Sequence, residues 1–219
     1  MCETRQAVDE TRLPDLMSSQ VRTIRFRFNL ARTEQTACRL LYRCGGGLTV
    51  LQLVKLLYFV DREALLRRGA PVTGDRMVSM DHGPVLSTTL DLINEDRDHA
   101  SEDQIVEWQH YVGPRDGNDL RPVAIEPAEG DASRAFYDEL SRWELKLIDE
   151  IANKYGSKTA GQLIDLGHQL PEWHAPGGTS TTIEPAEILL SAGLSQDEIE
   201  ELKQLATEKS FVQYASCVD

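Results

Sequence analysis

The chain has 219 residues and a mass of 24.6 kDa, enough for one domain with a real hydrophobic core. Its 23 basic and 36 acidic side chains give a net charge of −13, which argues against a protein that binds nucleic acid or acidic membranes over its whole surface. We expect no membrane span and no secretory signal, because the apolar stretches are too short. The four scattered cysteines form no C-x-x-C pair and predict reduced thiols in the cytoplasm.

The first 47 residues predict an extension followed by one strand and one helix. Residues 1–20 are polar and aperiodic, which is typical of a flexible or loosely docked arm. The alternation of apolar and basic residues over 21–28 predicts an extended strand. Apolar residues at helical spacing over 37–44 predict a helix that the three glycines 45–47 end.

The clearest predicted helix begins after Thr49, a favourable N-cap residue, and ends at Gly69. An apolar stripe that starts at Leu53 marks its buried face. Asp61 falls eight residues after Leu53 on that same face. A buried carboxylate is costly unless it has a partner, so we expect Asp61 to be paired inside the fold.

The middle of the chain predicts a small antiparallel sheet and carries most of the negative charge. Residues 76–80, 105–112 and 120–125 read as short strands, and Pro84 is expected to open a helix between the first two of them. Residues 91–150 carry 17 acidic and 6 basic side chains. Such a region is either a solvated surface or one that steers a basic partner, and both interpretations stay open here.

The last third predicts helices, because three capping boxes of the type S/T-x-x-E/Q precede apolar runs. They begin at Ser141, Thr159 and Ser195, and residues 184–190 predict a further helix. The predicted fold is therefore α+β and mainly α, a helical bundle-like domain with a two- or three-stranded antiparallel sheet.

Motifs for catalysis or cofactors are absent from the sequence: it has no phosphate-binding loop, dinucleotide fingerprint, zinc-protease helix or nucleophile elbow. We expect no cofactor and no metal. Asp61 and His82, with Asp75 and Arg76 nearby, could carry out acid–base chemistry, but no nucleophile accompanies them. The favoured interpretation is structural, with Asp61 paired to the 74–83 turn so that it locks a helix to the sheet.

Three ordered blocks resemble the Panacea domain family: K-L-L-Y-x-x-D at Lys55–Asp61, P-x-T-G-D at Pro71–Asp75, and H-G-P at His82–Pro84. A later helix ending in Y-G and an H-x-x-x-x-W ending also resemble it. The resemblance covers residues 26–173 and implies an N-terminal extension over 1–25 and a C-terminal helical extension, packed on the domain, over 174–219. The motif residues that it places in the frame of the fold are Lys55, Tyr58, Asp61, Gly74, Asp75, His82, Gly83, Pro84 and Trp173.

The resemblance implies a binding protein and not an enzyme. Members are similar to SocA-like antitoxins, which neutralise a cognate toxin of a bacterial or phage toxin–antitoxin pair by direct contact. The expected partner is a cytoplasmic toxin encoded in the adjacent gene. The candidate contacts lie in the acidic region: Glu102, Asp103, Trp108, Tyr111, Asp116 and Asp119.

Three other functions stay open from the sequence. The first is a proteolytic adaptor that delivers the toxin to a cytosolic AAA+ protease, as one branch of the family does. The second is an enzyme that uses Asp61 and His82. The third is a DNA-binding autorepressor, for which the arginine-rich residues 22–43 are the only support; we expect neither nucleic acid nor membrane as a partner.

Overall fold

The computed structural model describes residues 24–123, 125–127 and 131–215. Within these ranges the chain forms nine helices and five short strands, which confirms the predicted α+β, mainly α fold. The helices are α1 (Leu30–Arg43), α2 (Val50–Arg68), α3 (Ser87–Ile93), α4 (Glu102–Tyr111), α5 (Asp131–Phe136), α6 (Arg142–Tyr155), α7 (Ala160–His168), α8 (Pro185–Ser191) and α9 (Gln196–Ala215). The strands are β1 (Leu48–Thr49), β2 (Met77–Ser79), β3 (Val85–Leu86), β4 (Asp119–Leu120) and β5 (Thr181–Thr182).

Helix α2 is the centre of the fold and packs against α1, α6, α7, α8 and β3. Because neighbours surround it, every side chain from Leu53 to Asp61 is buried, and not only the predicted apolar stripe. Thr49 and Gln52 form a capping box at its start, and Gly69 ends it with φ 71°, as expected. Within this buried stretch of the helix, each polar side chain needs a partner inside the fold.

The strands form two small antiparallel sheets. In one, β2 lies between β3 and β5, with Val78 opposite both Val85 and Thr182. In the other, β1 pairs with β4. The predicted strand at 76–80 is therefore confirmed as β2, whereas the segment predicted over 120–125 contributes only its first residue to β4 and an isolated bridge from Pro122.

The strand predicted over 105–112 is wrong, because this segment belongs to helix α4. Ser101 and Gln104 form a capping box that starts the helix. Val106 is 47% exposed and Trp108 only 2% exposed, although a strand would place these two residues on the same face. Ile105 and Trp108, three residues apart, share the buried face that a helix produces.

Two further boundaries differ from the sequence predictions. Pro84 does not open a helix, because Val85 and Leu86 first pair with β2 and α3 begins only at Ser87. Residues 24–29 form neither helix nor strand, and the rest of the strand predicted over 21–28, like the arm over 1–20, lies outside the described residues. None of the helices in the described ranges is both long and apolar enough to cross a membrane.

The predicted helices of the last third are confirmed. The boxes at Ser141, Thr159 and Ser195 each receive the reciprocal hydrogen bonds of a cap. Residues 181–182 join the sheet as β5, and α8 buries Ile188 and Leu189 in the core that α2 centres. Residues beyond 174 thus complete the same core as the residues before them.

Candidate partner-binding surface

Three polar side chains project from the buried middle of α2, and each bonds to a different segment of the chain. Lys55 Nζ donates to the carbonyl oxygen of Pro84 at 2.7 Å. The Tyr58 hydroxyl donates to Glu172 Oε1 at 2.8 Å. Asp61 accepts from the segment that follows the helix. The K-L-L-Y-x-x-D block therefore ties the central helix to three parts of the fold.

Asp61 is fully buried, and its partners are neutral donors. Its Oδ1 accepts the backbone N–H groups of Val72 and Thr73, both at 2.9 Å, and its Oδ2 accepts the Thr73 hydroxyl. Burial raises the pKa of Asp61 to about 7, although the Thr73 and Val72 hydrogen bonds oppose the rise. The predicted burial and internal pairing are present, but the partner is the 72–73 segment and not the 74–83 turn.

The P-x-T-G-D block joins α2 to the N-terminal segment and to α3. The N–H of Asn29 donates to the Thr73 carbonyl oxygen at 2.9 Å. Gly74 has φ 69°, and a Cβ atom there would lie 2.1 Å from the carbonyl oxygen of Arg27. Asp75 accepts the N–H groups of Thr88 and Thr89 and so caps α3.

The five residues from Met80 to Pro84 form a turn that is held from several sides; we call it the 80–84 turn. Gly83, at φ 86°, closes it with an N–H bond to the Met80 carbonyl oxygen. Trp173 Nε1 donates to that same oxygen at 3.0 Å. His168 Nε2 lies 3.0 Å from the Asp81 carbonyl oxygen and therefore carries the ring proton. The His168 and Trp173 rings stack with centroids 3.9 Å apart.

The motif residues thus build a rigid frame around the 80–84 turn, and His82 is exposed at its tip. Among the described residues Asp61 and His82 share no hydrogen bond or ion pair, because Asp61 is enclosed by the 72–73 segment. This geometry does not assemble the acid–base pair that the sequence left open. Lys55, which holds the turn from below, is 0% exposed, and burial lowers its pKa to about 7.

The frame also contains a buried ion pair between Arg62 and Glu172, which the sequence did not predict. Glu172 is 2% exposed, and its carboxylate accepts from Arg62 Nε at 2.6 Å and Nη2 at 3.2 Å. The same carboxylate accepts a hydrogen bond from the Tyr58 hydroxyl. Burial raises the pKa of the Tyr58 hydroxyl well above its usual value, and the nearby Glu172 carboxylate adds to the rise. The helical spacing of Tyr58 and Arg62, four residues apart, was the available signal that they share a partner.

A groove of about 760 Å³ lies beside the 80–84 turn; we call it the turn groove. Its walls come from the first turns of α2, the turn itself, α3, the loop 115–118 and the loop 178–180. A larger cavity of about 1020 Å³ lies along residues 26–32 and Trp143, and from the motif blocks it is lined by Pro71 and Gly74 of the P-x-T-G-D block and not by the 80–84 turn. The turn groove is the cavity that the family motif shapes, with Lys55, His82 and Gly83 on its lining.

The predicted partner contacts divide into exposed and buried residues. Glu102, Asp103, Asp116 and Asp119 are exposed. Tyr111 is half-buried against Phe136, with ring centroids 5.6 Å apart. Trp108 is part of the hydrophobic core, and its burial takes it out of the candidate surface. The exposed acids on the 95–107 segment form what we call the acidic face: Glu95, Asp98, Glu102, Asp103 and Glu107.

Among the described residues, two carboxylates and one imidazole lie close enough together to share a cation: Asp91, Asp96 and His99. The geometry accounts for it without a metal, because His99 Nδ1 lies 3.1 Å from Asp96 Oδ2. This contact raises the pKa of His99 and lowers that of Asp96, as expected for an ion pair. We assign no metal site to it.

The sequence that forms this frame matches the model of a known family. The model of the family described as antitoxin SocA-like, Panacea domain, matches residues 53–174. The matched range contains all of the motif residues from Lys55 to Trp173, and therefore the whole frame of the 80–84 turn. The search of curated proteins found no match, and neither did the search of solved structures.

Proposed function

The chain belongs to the SocA-like Panacea-domain antitoxin family, whose model covers more than half of it, and from this premise we propose that it neutralises a cognate toxin by binding it. The toxin is a protein encoded in the adjacent gene of a bacterial or prophage pair, and both act in the cytoplasm. The antitoxin performs no chemistry of its own.

The hydrogen bonds of the motif residues support binding over catalysis. The polar atoms of Lys55, Asp61 and Trp173 bond to the backbone of the 80–84 turn and of the 72–73 segment. Groups so engaged are positioned to hold a surface in place. A catalytic site would instead leave an acid, a base or a nucleophile aimed into a cavity.

The proposed mechanism is occlusion of the toxin's active or target-binding surface. A standard interface of about 1,600 Å² of total buried area is enough for nanomolar affinity. The turn groove and the acidic face lie on neighbouring segments, since Asn94 borders the groove and Glu95 begins the acidic face. Together they offer an apolar centre with a charged margin, which is the usual composition of an interface.

The test is co-expression with the protein encoded by the adjacent gene. We expect that protein to arrest growth alone, growth to recover when this chain is co-expressed, and the two to copurify as a stable complex. A neighbour that is harmless, or that never forms a complex with this chain, would overturn the proposal.

The same system separates occlusion from delivery to a protease. In a reaction with purified components and no protease, occlusion predicts that the toxin loses activity on addition of this chain. In cells that lack AAA+ proteases, it predicts that growth still recovers. Recovery that needs the protease would establish the adaptor mechanism in place of occlusion.

A further inference from the structure

The walls of the turn groove carry a set of apolar side chains. Val50, Leu51, Met80 and Leu90 are half-buried on its walls, with Val54 deeper. These side chains come from α2, the 80–84 turn and α3, all of which the motif residues hold rigidly. Apolar surface of this kind gains free energy when a partner covers it, in proportion to the area removed from water.

The charged groups on the lining already have partners within the chain. Lys55 Nζ donates to the Pro84 carbonyl oxygen, and Asp81 Oδ1 accepts the N–H of Gly178 at 3.2 Å. Arg115 donates to Asn94 Oδ1 at 2.7 Å and to a carbonyl oxygen of its own loop. An apolar side chain can therefore enter the groove without breaking any of these bonds.

The margin of the groove carries an excess of acidic side chains, three carboxylates against the guanidinium of Arg115. Asp116 and Asp119 lie within two residues of Asn118, which borders the groove, and Glu95 follows Asn94, which also borders it and is bonded to the same loop. All three carboxylates are on exposed residues. Exposed charges contribute little to folding stability but set the charge of the partner that can approach.

We propose that the turn groove receives an apolar side chain of the toxin, presented by a segment that carries lysine or arginine beside it. The inference rests on the proposed function and adds to it the place of contact and the chemistry of the contacting segment. The apolar side chain is the anchor of the interface, and the basic side chains pair with Asp116, Asp119 and Glu95 at the margin.

The first test fills the groove. Ala160 is half-buried on its lining at the first position of α7, so Ala160→Phe places a ring in the groove and leaves the core untouched. Ala135→Phe, at an exposed position of α5 that is not on the groove lining, is the matched control. We expect Ala160→Phe to weaken binding of the adjacent-gene protein about tenfold or more, and Ala135→Phe to leave it unchanged. Equal affinities for the two variants, both folded by circular dichroism, would overturn the inference.

The second test reverses the charge of the margin. Asp116→Lys with Asp119→Lys should slow association at low salt by about tenfold, with the difference shrinking at high salt. Glu187→Lys with Asp165→Lys changes the net charge equally at exposed positions outside the groove and serves as the control. An on-rate that falls as much in the control would show that only overall charge matters.

The third test identifies the occupant. A photo-crosslinking phenylalanine analogue at Leu51, on the groove wall, should capture a toxin peptide that has an apolar residue next to lysine or arginine. The same analogue at Leu205, which is 52% exposed on α9, is the control and should capture none. A captured peptide with an acidic side chain would point to Lys55 as the recognition group and overturn the inference. Toxin that binds without crosslinking at Leu51 would refute the inference alone, and no binding to the wild type would refute the proposed function.

Discussion

The buried face of α2 and the margin of the turn groove both carry charged side chains, but they use them differently. On α2, Lys55 and Asp61 are buried, and their side-chain hydrogen bonds go to the backbone of the chain and to the Thr73 hydroxyl. At the margin, Asp116 and Asp119 are exposed to solvent. Removing a partner from a buried polar group is costly, whereas an exposed charge contributes little. The buried set therefore fixes the frame, and the exposed set is free to suit a partner.

The largest expected effect is at Gly74, in the frame. Gly74→Ala would place a Cβ atom 2.1 Å from the Arg27 carbonyl oxygen at a positive φ, so the backbone on one side must move. We expect a loss of about 3 kcal/mol or more in the free energy of unfolding. Gly117→Ala is the matched control, since Gly117 also has a positive φ (61°) but open space around it, and should cost only about 1 kcal/mol. Equal losses of unfolding free energy for the two variants, measured in urea, would contradict the close approach of Gly74 to the Arg27 carbonyl oxygen.

The next effect comes from Asp61→Ala, which leaves two buried N–H groups and one hydroxyl without an acceptor. We expect a loss of about 2–4 kcal/mol in the free energy of unfolding, measured in urea. Asp165→Ala, at an exposed site of α7, should change it by about 0.5 kcal/mol or less. A melting temperature that Asp61→Ala leaves unchanged would mean that the 72–73 segment is not held by this carboxylate.

Glu34 sharpens the comparison, because it is buried on α1 without a full set of hydrogen-bond partners. It is 1% exposed, and in the described part of the chain its Oε1 has no hydrogen-bond partner. Burial raises its pKa from 4.5 to about 8, and Glu107 adds to the rise. The folded protein therefore keeps a proton that the unfolded chain releases, and stability falls as the pH rises from about 4.5 to 8.

Glu34→Gln removes this titration. As the pH rises from 5 to 8, the free energy of unfolding of the variant should increase by about 1–3 kcal/mol relative to that of the wild type. The measurement is the free energy of unfolding at both values of pH, for both proteins. A difference between the two proteins that is independent of pH would show that Glu34 does not titrate as expected.

The smallest effect on stability is expected on the acidic face. Glu102→Gln with Asp103→Asn removes two exposed charges from the first turn of α4 and should cost about 1 kcal/mol or less. Binding should respond more, with association of the toxin slowed several-fold at low salt and little changed at high salt.

The control for the acidic face is Glu187→Gln with Asp197→Asn, which removes two acids from the first turns of α8 and α9. It should match the stability loss of the α4 pair without matching its effect on association. If both pairs slow association equally, the acidic face has no special role in approach.

The sequence predicted most helices because their starting signals are local. The boxes at Ser141 and Thr159 join residues only three apart, and the structure forms both. The same kind of signal, Ser101 with Gln104, was present ahead of α4 but was outweighed by an apparent alternation over 105–112. That capping box predicts a helix in place of the strand, and in a helix Val106 and Trp108 lie on different faces.

The candidate site was predicted only in part. The apolar stripe of α2 located Asp61 on a buried face, and the motif blocks located the turn that contains His82, Gly83 and Pro84. They could not show that Trp173 and His168 hold that turn, because these residues lie 93 and 87 positions away from the carbonyl groups they bind. Nor could they show the pairing of Tyr58 with Glu172, which spans 114 positions.

The sequence by itself determined the helical character of the chain, the caps of its helices and the family to which it belongs, because each depends on residues close together in order. The tertiary structure alone decided which donors enclose Asp61, which face of α4 is buried, and that an apolar groove with an acidic margin lies beside the 80–84 turn. These depend on contacts between segments far apart in the chain. Burial, which only the assembled fold sets, makes one aspartate part of the frame and leaves another free for a partner.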